Sequence, residues 1–309
     1  RAISALLALG LLGACGGLPL ASQRLIQDAI APPDGGEVWV LLVAGSSGYM
    51  NYRHQADICH AYQIVHSHGV KDERIIVMMY DDVARSFFNP YKGALFNEPN
   101  GTDVYANVPR DYTGRHVTPH NFMAVLTGNA AKVKGGSGRV IQSGPLDRVF
   151  VYFADHGAPG FLAFPTRMHV WPTQLNSRDV IKGLNGMRAA GRFSQLVFYV
   201  EACESGSMFN NVLSADIRVL AVTAATPFES SFACYYNSTL GTYIGDCFSN
   251  HWMENSDTFV LQAETIELQV ARVARETVNS TVCMYGDLTI AQQAVANFLC
   301  RSGDLQEFF

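Results

Sequence analysis

The chain has no block of Lys or Arg. Its 22 basic residues are scattered among 27 acidic ones, for a formal charge of -5. Nucleic acid is therefore not expected as a partner, because phosphate binding needs clustered basic surface. There is no internal repeat and no low-complexity tract, which sets aside solenoids and disordered arrays. Past the N-terminus, no apolar run is long enough to cross a bilayer, so no mature membrane segment is expected. Charged residues make up only 16% of the 309 residues and hydrophobic ones 48%, ordinary for a globular chain with a full core. That length allows one or two domains.

What is present begins with "ALLALGLLGAC", Ala5 to Cys15. It is apolar, too short for a membrane span, and followed by small residues, as in the core of a secretory signal peptide. We assign 1–21 to a signal and 22–34 to a short propeptide or linker. The charged flank is reduced to Arg1 and no initiator Met precedes it, so the start reads as incomplete. "LGAC" also resembles a bacterial lipoprotein box. Three Asn-x-Ser/Thr sites, at Asn100, Asn237 and Asn279, argue instead for a eukaryotic secretory glycoprotein.

Of seven cysteines, six follow the signal. An even count in a secreted chain suggests disulfides, although this length does not require them. If Cys203 is a free nucleophile, at least one more thiol is unpaired. Cys234 and Cys247 could bridge, but spacing alone does not decide it.

Apolar runs at 37–45, 74–80, 147–153, 195–200 and 217–225 read as buried strands. Helical periodicity falls at about 53–69, 121–126 and 177–190, with a long helix expected over 259–278. Segments 81–134 and 226–245 read as loop-rich. Strands alternating with helices predict an α/β fold, a mostly parallel central sheet flanked by helices on both faces. Ligands of such folds sit beyond the carboxyl ends of the strands. Those ends carry "GSSGYMNYRHQ", "DDVA", "DHGAPG", "EACESGS" and "TAATPFESS".

A thiol becomes a nucleophile when a base takes its proton. Cys203 and His156 each follow a strand and could face one crevice, with the Gly157 and Cys203 amides as oxyanion donors. Read in isolation, the pair could equally be a core thiol and a turn histidine. Ser205 and Ser207 lack the G-x-S-x-G elbow of a serine nucleophile. His54, His60 and His66 are spaced by six, which spreads them around a helix, so neither a metal site nor any cofactor is expected.

"NYRHQADICHAYQI", "VMMYDDVA", "PNGTDVYANVPRDYTG", "VTPHNF", "YFADHGAPG", "EACESGSMF", "ESSFACYY" and "GTYIGDCFS" closely resemble the legumain family of asparaginyl endopeptidases, relatives of the caspases. The resemblance runs from about 35 to 285. It implies a caspase-like fold and a cysteine peptidase that cleaves after Asn, and after protonated Asp at acid pH. It maps Cys203 as nucleophile, His156 as general base and acid, and Asn51 as the residue that orients the histidine. Asp155 is part of the motif without a settled role. Arg53 would donate to the substrate's side-chain oxygen. Glu201 and Asp246 would accept from its amide, with His54, Ser230 and Ser231 lining the pocket. Arg53 and Glu201 could alternatively be a structural ion pair, and Glu204 only a solvated carboxylate. A Cys234–Cys247 disulfide would stiffen the loop beside the pocket.

The same resemblance implies peptide and protein substrates with Asn at P1, cystatin-type inhibitors as partners, and residence in the secretory pathway with a lysosomal or acidic extracellular destination. It divides the chain into a peptidase domain, 35–286, and the start of a C-terminal extension, 287–309, with the full prodomain absent. An acyl-enzyme can pass to an amine as well as to water, so transpeptidation is a side activity to consider. Two other readings are a GPI-anchor transamidase-like enzyme and an inactive secreted binding glycoprotein. The caspases themselves differ at the nucleophile, with Gln-Ala-Cys in place of Glu201-Ala202-Cys203.

Overall fold

The computed structural model describes residues 36–165 and 173–301. The expected signal and linker lie outside the described residues, as does 302–309. The strands are β1 (Val38–Ala44), β2 (Ile75–Met78), β3 (Arg148–Ala154), β4 (Gly157–Ala158), β5 (Phe161–Phe164), β6 (Thr173–Asn176), β7 (Gln195–Glu201), β8 (Val219–Thr223), β9 (Ala233–Asn237), β10 (Thr242–Asp246) and β11 (Cys283–Gly286). The α-helices are α1 (Tyr52–Ser67), α2 (Pro119–Leu126), α3 (Ser177–Ala189), α4 (Cys247–Thr258), α5 (Ile266–Glu276) and α6 (Ala296–Leu299).

The central sheet runs β11-β8-β7-β3-β1-β2. All its pairs are parallel except β11 with β8. Its strands are apolar throughout because both faces are covered. Val40 and Leu42 pack with Tyr62 of α1 and Trp252 of α4 on one face. Leu41 and Val43 pack with Phe122 of α2 and Leu184 of α3 on the other. The mostly parallel sheet with helices on both faces is thus what the sequence predicts.

From β1 the chain moves outward to β2 and then returns past β1 to β3. That reversal opens a crevice beyond the carboxyl ends of β1 and β3, the usual position of a ligand site in an open α/β sheet. Strands β3 and β7 pair in register from Arg148↔Gln195 to Ala154↔Glu201.

Four details depart from the sequence expectations. The single helix over 259–278 is two helices. Phe259 is extended (φ -102°, ψ 155°), and Thr265 starts α5 by accepting from the Leu268 amide at 3.2 Å. The loop-rich segment 226–245 holds the hairpin β9–β10, paired from Asp246↔Ala233 to Thr242↔Asn237. A small antiparallel sheet, β4-β5-β6, follows His156. Finally, Ile290, Val295, Phe298 and Leu299 join the same core as α1, so the packed unit continues past residue 286.

Candidate active site

Asp155 and His156 directly follow β3, and Ala202 and Cys203 directly follow β7. Because Ala154 pairs with Glu201, His156 and Cys203 each stand two residues past matched strand ends. Their backbones are tightly apposed. A Cβ built on Gly157 would lie 2.4 Å from the Cys203 carbonyl oxygen, so only glycine permits this approach. The thiol is half-buried, with Sγ 3.7 Å from the Ser231 carbonyl oxygen. The Cys203 N–H has no intramolecular acceptor among the described residues.

Asn51 enters from the turn after β1. Its amide donates to the Ser47 carbonyl at 2.9 Å, which leaves Oδ1 as acceptor, 2.9 Å from His156 Nε2. The imidazole therefore carries its proton on Nε2, and Nδ1 is the basic nitrogen. Partial burial, and then the nearby Arg53 charge, push the His156 pKa below its ordinary value. A neutral ring is the form that can take a thiol proton.

Arg53 and His54 start α1 beside the same crevice. Arg53 Nε donates to Asp246 Oδ1 at 2.8 Å. His54 is buried, its ring edge-on to His156 with centroids 5.1 Å apart. His54 Nδ1 lies 2.7 Å from Ser46 Oγ and 3.2 Å from Asp155 Oδ1. Its Nε2 lies 3.5 Å from Asp246 Oδ2. Burial, then the charge of Arg53, hold His54 well below the ordinary imidazole pKa. The ligand-type atoms of His54, Asp155 and His156 fall within 4.8 Å of one another. Hydrogen bonds to Ser46 and Asn51 account for the orientation of both rings.

Glu201 ends β7 and is buried. Its Oε2 accepts from the Ser249 amide at 3.1 Å and the Ser249 hydroxyl at 3.0 Å. No donor is aimed at Oε1 among the described residues. Burial, then the Asp246 charge, push its pKa up to about 8. Asp155 is also fully buried, and desolvation raises it well above the carboxylate range. The sequence reading has Glu201 accept from the substrate amide together with Asp246. The raised Glu201 pKa favours the neutral acid at low pH, which shifts repulsion of an ionised ligand toward Asp246.

Ser231 is half-buried beside Glu201, whereas Ser230 is exposed. Ser205 and Ser207 hold backbone instead of facing a base. Ser205 Oγ accepts from the Ala225 amide, and Ser207 Oγ from the Gly160 amide. Glu204 sits in the left-handed region (φ 49°), with its amide donating to the Glu229 carbonyl at 2.8 Å. Cys234 and Cys247 form a disulfide that ties β9 to the start of α4. Of the three Asn-x-Ser/Thr sites, Asn100 and Asn279 are exposed. Asn237 is half-buried, and its Oδ1 caps the β9–β10 turn by accepting from the Thr239 and Leu240 amides, both at 3.0 Å.

Sequence reasoning missed three residues that shape this site. Ser249 binds Glu201 from α4, a helix the sequence reading did not place although Asp246 stands at its N-cap. Ser46 contacts His54. Asp57 lies one helical turn after Arg53, a spacing that places both on one face and could have revealed it.

The sheet and its carboxyl edge define a class: an open α/β protein with a thiol and an imidazole on adjacent strand ends, beside a cluster of buried groups of mixed charge. The Peptidase C13 family model matches residues 38–301, and the chain belongs to that family. It is 53% identical to a legumain of Mus musculus over 268 residues, covering 86% of this chain and 60% of that protein. It is 47% identical to a vacuolar-processing enzyme beta-isozyme of Arabidopsis thaliana over 272 residues, covering 84% and 55%. The chain thus spans little more than half the length of these relatives. A solved caspase-1 structure from Spodoptera frugiperda is similar with a TM-score of 0.49 and 11% identity, over 83% of this chain and 89% of that one. Among the described residues, no helix is long and apolar enough to cross a membrane.

Proposed function

We propose that the chain is the catalytic part of a cysteine endopeptidase that cleaves after Asn. The observation that carries this reading is the cluster of charged groups at the carboxyl edge that bears Cys203. A guanidinium and two carboxyl groups, Arg53, Asp246 and Glu201, stand together there, the donor and acceptor set that a carboxamide needs.

His156 Nδ1 takes the Cys203 proton as Sγ attacks the carbonyl carbon of the P1 residue. The resulting oxyanion is held by the Cys203 and Gly157 amides. His156 returns the proton to the leaving amine, and the C–N bond breaks to give a thioester. Water, deprotonated by His156, then releases the acid and restores the thiol. An amine in place of water gives transpeptidation by the same route. Asn51 fixes the tautomer throughout. Arg53 donates to the P1 side-chain oxygen, and Asp246 accepts from its amide together with a lone pair of neutral Glu201. His54 and Ser231 shape the walls, with Ser230 at the rim.

The similarity to a legumain and to a vacuolar-processing enzyme supports secretory routing to an acidic compartment, with glycans on Asn100, Asn237 and Asn279. Cystatin-type inhibitors belong to the same reading. The test is hydrolysis of fluorogenic tripeptides with Asn, Asp or Gln at P1, across acid to neutral pH, beside Cys203→Ala. Asn-selective turnover lost in the variant supports the proposal. No turnover with an unreactive Cys203 moves it to a binding protein.

A further inference from the structure

Asp57 belongs to none of the roles above, yet it is fully buried against the pocket. It follows Arg53 by one turn of α1. Its Oδ1 accepts from Asn97 Nδ2 at 2.7 Å and is 3.4 Å from the Asp246 amide. With the Asp246 backbone this close, the charge of the Asp246 side chain also bears on the Asp57 carboxyl group. Asp57 Oδ2 and Asp246 Oδ2 both lack a conventional donor among the described residues. Two ionised carboxylates so placed repel, and neither can donate. One shared proton satisfies both orphaned oxygens.

The surroundings decide which carboxyl bears it. Asp246 has Arg53 Nε at 2.8 Å, and among the described residues Asp57 has no ion-pair partner. Asn97 is locked so that its amide faces Asp57. Its Oδ1 lies 2.9 Å from His60 Nδ1 and accepts from Asn250 Nδ2 at 3.2 Å, and its Nδ2 also reaches the Ile244 carbonyl. His60 Nε2 in turn meets the half-exposed Asp257 at 2.8 Å. A polar chain thus runs from the surface through His60 and Asn97 to Asp57 and the pocket.

We propose that Asp57 is a positioning residue for substrate recognition: it stays neutral, donates its proton to Asp246 Oδ2, and so holds the Asp246 carboxylate where it and Arg53 meet the P1 side chain. This rests on the peptidase reading above. The titratable and charged groups that act on Asp57 are Arg53 and Cys59 from α1, Asp246 from β10, Glu201 from β7 and Tyr152 from β3, with His60 reaching it through Asn97. Desolvation, then the Asp246 charge, favours the neutral Asp57 acid, while the Asn97 bond opposes it. Loss of that proton on going alkaline sets two like charges against each other and loosens the pocket.

The experiment compares wild type, Asp57→Ala and Asp57→Asn as the full chain. KM and kcat are measured for the P1 Asn tripeptide across pH, with melting temperature against pH as a second readout. Asp57→Ala should raise KM about tenfold with kcat little changed, the size of one lost charge-assisted hydrogen bond. Asp57→Asn still has a donor for Asp246, so it should recover most of that loss. It should also flatten the alkaline rise in KM and the alkaline fall in melting temperature expected of wild type. If Asp57→Asn is as impaired as Asp57→Ala, or if the KM and melting profiles of Asp57→Asn keep the wild-type pH dependence, the proposal is overturned. If wild type cleaves no P1 Asn substrate, the peptidase reading fails and the melting profiles alone judge Asp57. A flattened profile in Asp57→Asn then sustains the shared proton, and an unchanged one ends it.

Discussion

Asn51 Oδ1 lies 2.9 Å from His156 Nε2, and the Asn51 amide is turned by its own bond to the Ser47 carbonyl. That geometry assigns one nitrogen of the ring to support and the other to chemistry. Asn51→Ala should lower kcat by about 10- to 100-fold with KM nearly unchanged, because only the base is misplaced. Asn51→Asp should raise the His156 pKa, since a carboxylate favours the imidazolium. The acid limb of kcat/KM should then move to higher pH. An unmoved limb in a folded Asn51→Asp protein would refute this tautomer.

Gly157→Ala is expected to be severe. Its Cβ would sit 2.4 Å from the Cys203 carbonyl oxygen and 3.0 Å from the Ala202 Cβ, both on a constrained strand end. The loop must shift, taking an oxyanion donor with it. We expect roughly a 100-fold loss in kcat, the usual scale for one donor. Steady-state kinetics with active-site titration of Cys203 checks this.

Selectivity at P1 should divide unequally between the two pocket acids. Burial, then the Asp246 charge, push the Glu201 pKa up to about 8, which favours the neutral acid at low pH. Glu201→Gln should therefore retain much of the P1 Asn activity at acid pH. Asp246→Asn removes the carboxylate bound to Arg53, and should raise KM for P1 Asn about tenfold or more. Asp246→Asn should also extend P1 Asp cleavage to higher pH, because it removes the charge that repels the substrate carboxylate. Equal damage by both variants at acid pH would contradict the neutral Glu201.

Stability should fall on going alkaline. Glu201 is raised to about 8, so the native state keeps a proton that the unfolded state releases above its ordinary pKa. Its contribution is complete below about pH 4 and lost as pH climbs through about 8. Asp57 and Asp155 are raised by burial and act in the same direction. His54 is lowered and opposes them, costing stability as pH falls below about 6.5. His156 is lowered as well and acts as His54 does, but three raised acids against two lowered imidazoles leave a net preference for acid. Melting temperature should drop by several degrees from about pH 5 to about pH 8, with a smaller drop in Glu201→Gln. A flat profile in wild type would show the carboxyl cluster to be ionised.

Reduction should loosen the pocket before the sheet. The Cys234–Cys247 bond closes a short loop, with a sequence separation of 13, at the exit of the hairpin that carries Asp246. Its loss, by reductant or in Cys234→Ser/Cys247→Ser, should cost roughly 2–3 kcal/mol of stability. KM for P1 Asn should rise with it, as measured in the double variant where Cys203 is untouched.

The five parallel strands of the central sheet were legible because buried strands are written as unbroken apolar runs. Cys203 and His156 were legible because polar residues abruptly follow such runs. The β9–β10 hairpin was hidden, since strands outside the main sheet have little apolar alternation to betray them. The helical break at Phe259 was hidden as well. Its backbone turns extended without a Gly or Pro, and apolar residues continue on both sides. The charge state of Glu201 was out of reach in principle: a sequence names the carboxyl, but its neutrality comes from burial beside Asp246. Ser249 and Asp57 were missed for a related reason, because their partners arrive from distant segments.

The matched ends of β3 and β7 have one more consequence. Side chains alternate along a strand, so a slip of one residue between β3 and β7 would turn neighbours to opposite faces and put His156 out of step with Cys203. A molecule with such a slip could keep much of its secondary structure and still be silent. Titrating the reactive thiol therefore counts the molecules whose central strands were counted correctly as they came together, and turns catalysis into a gauge of folding fidelity.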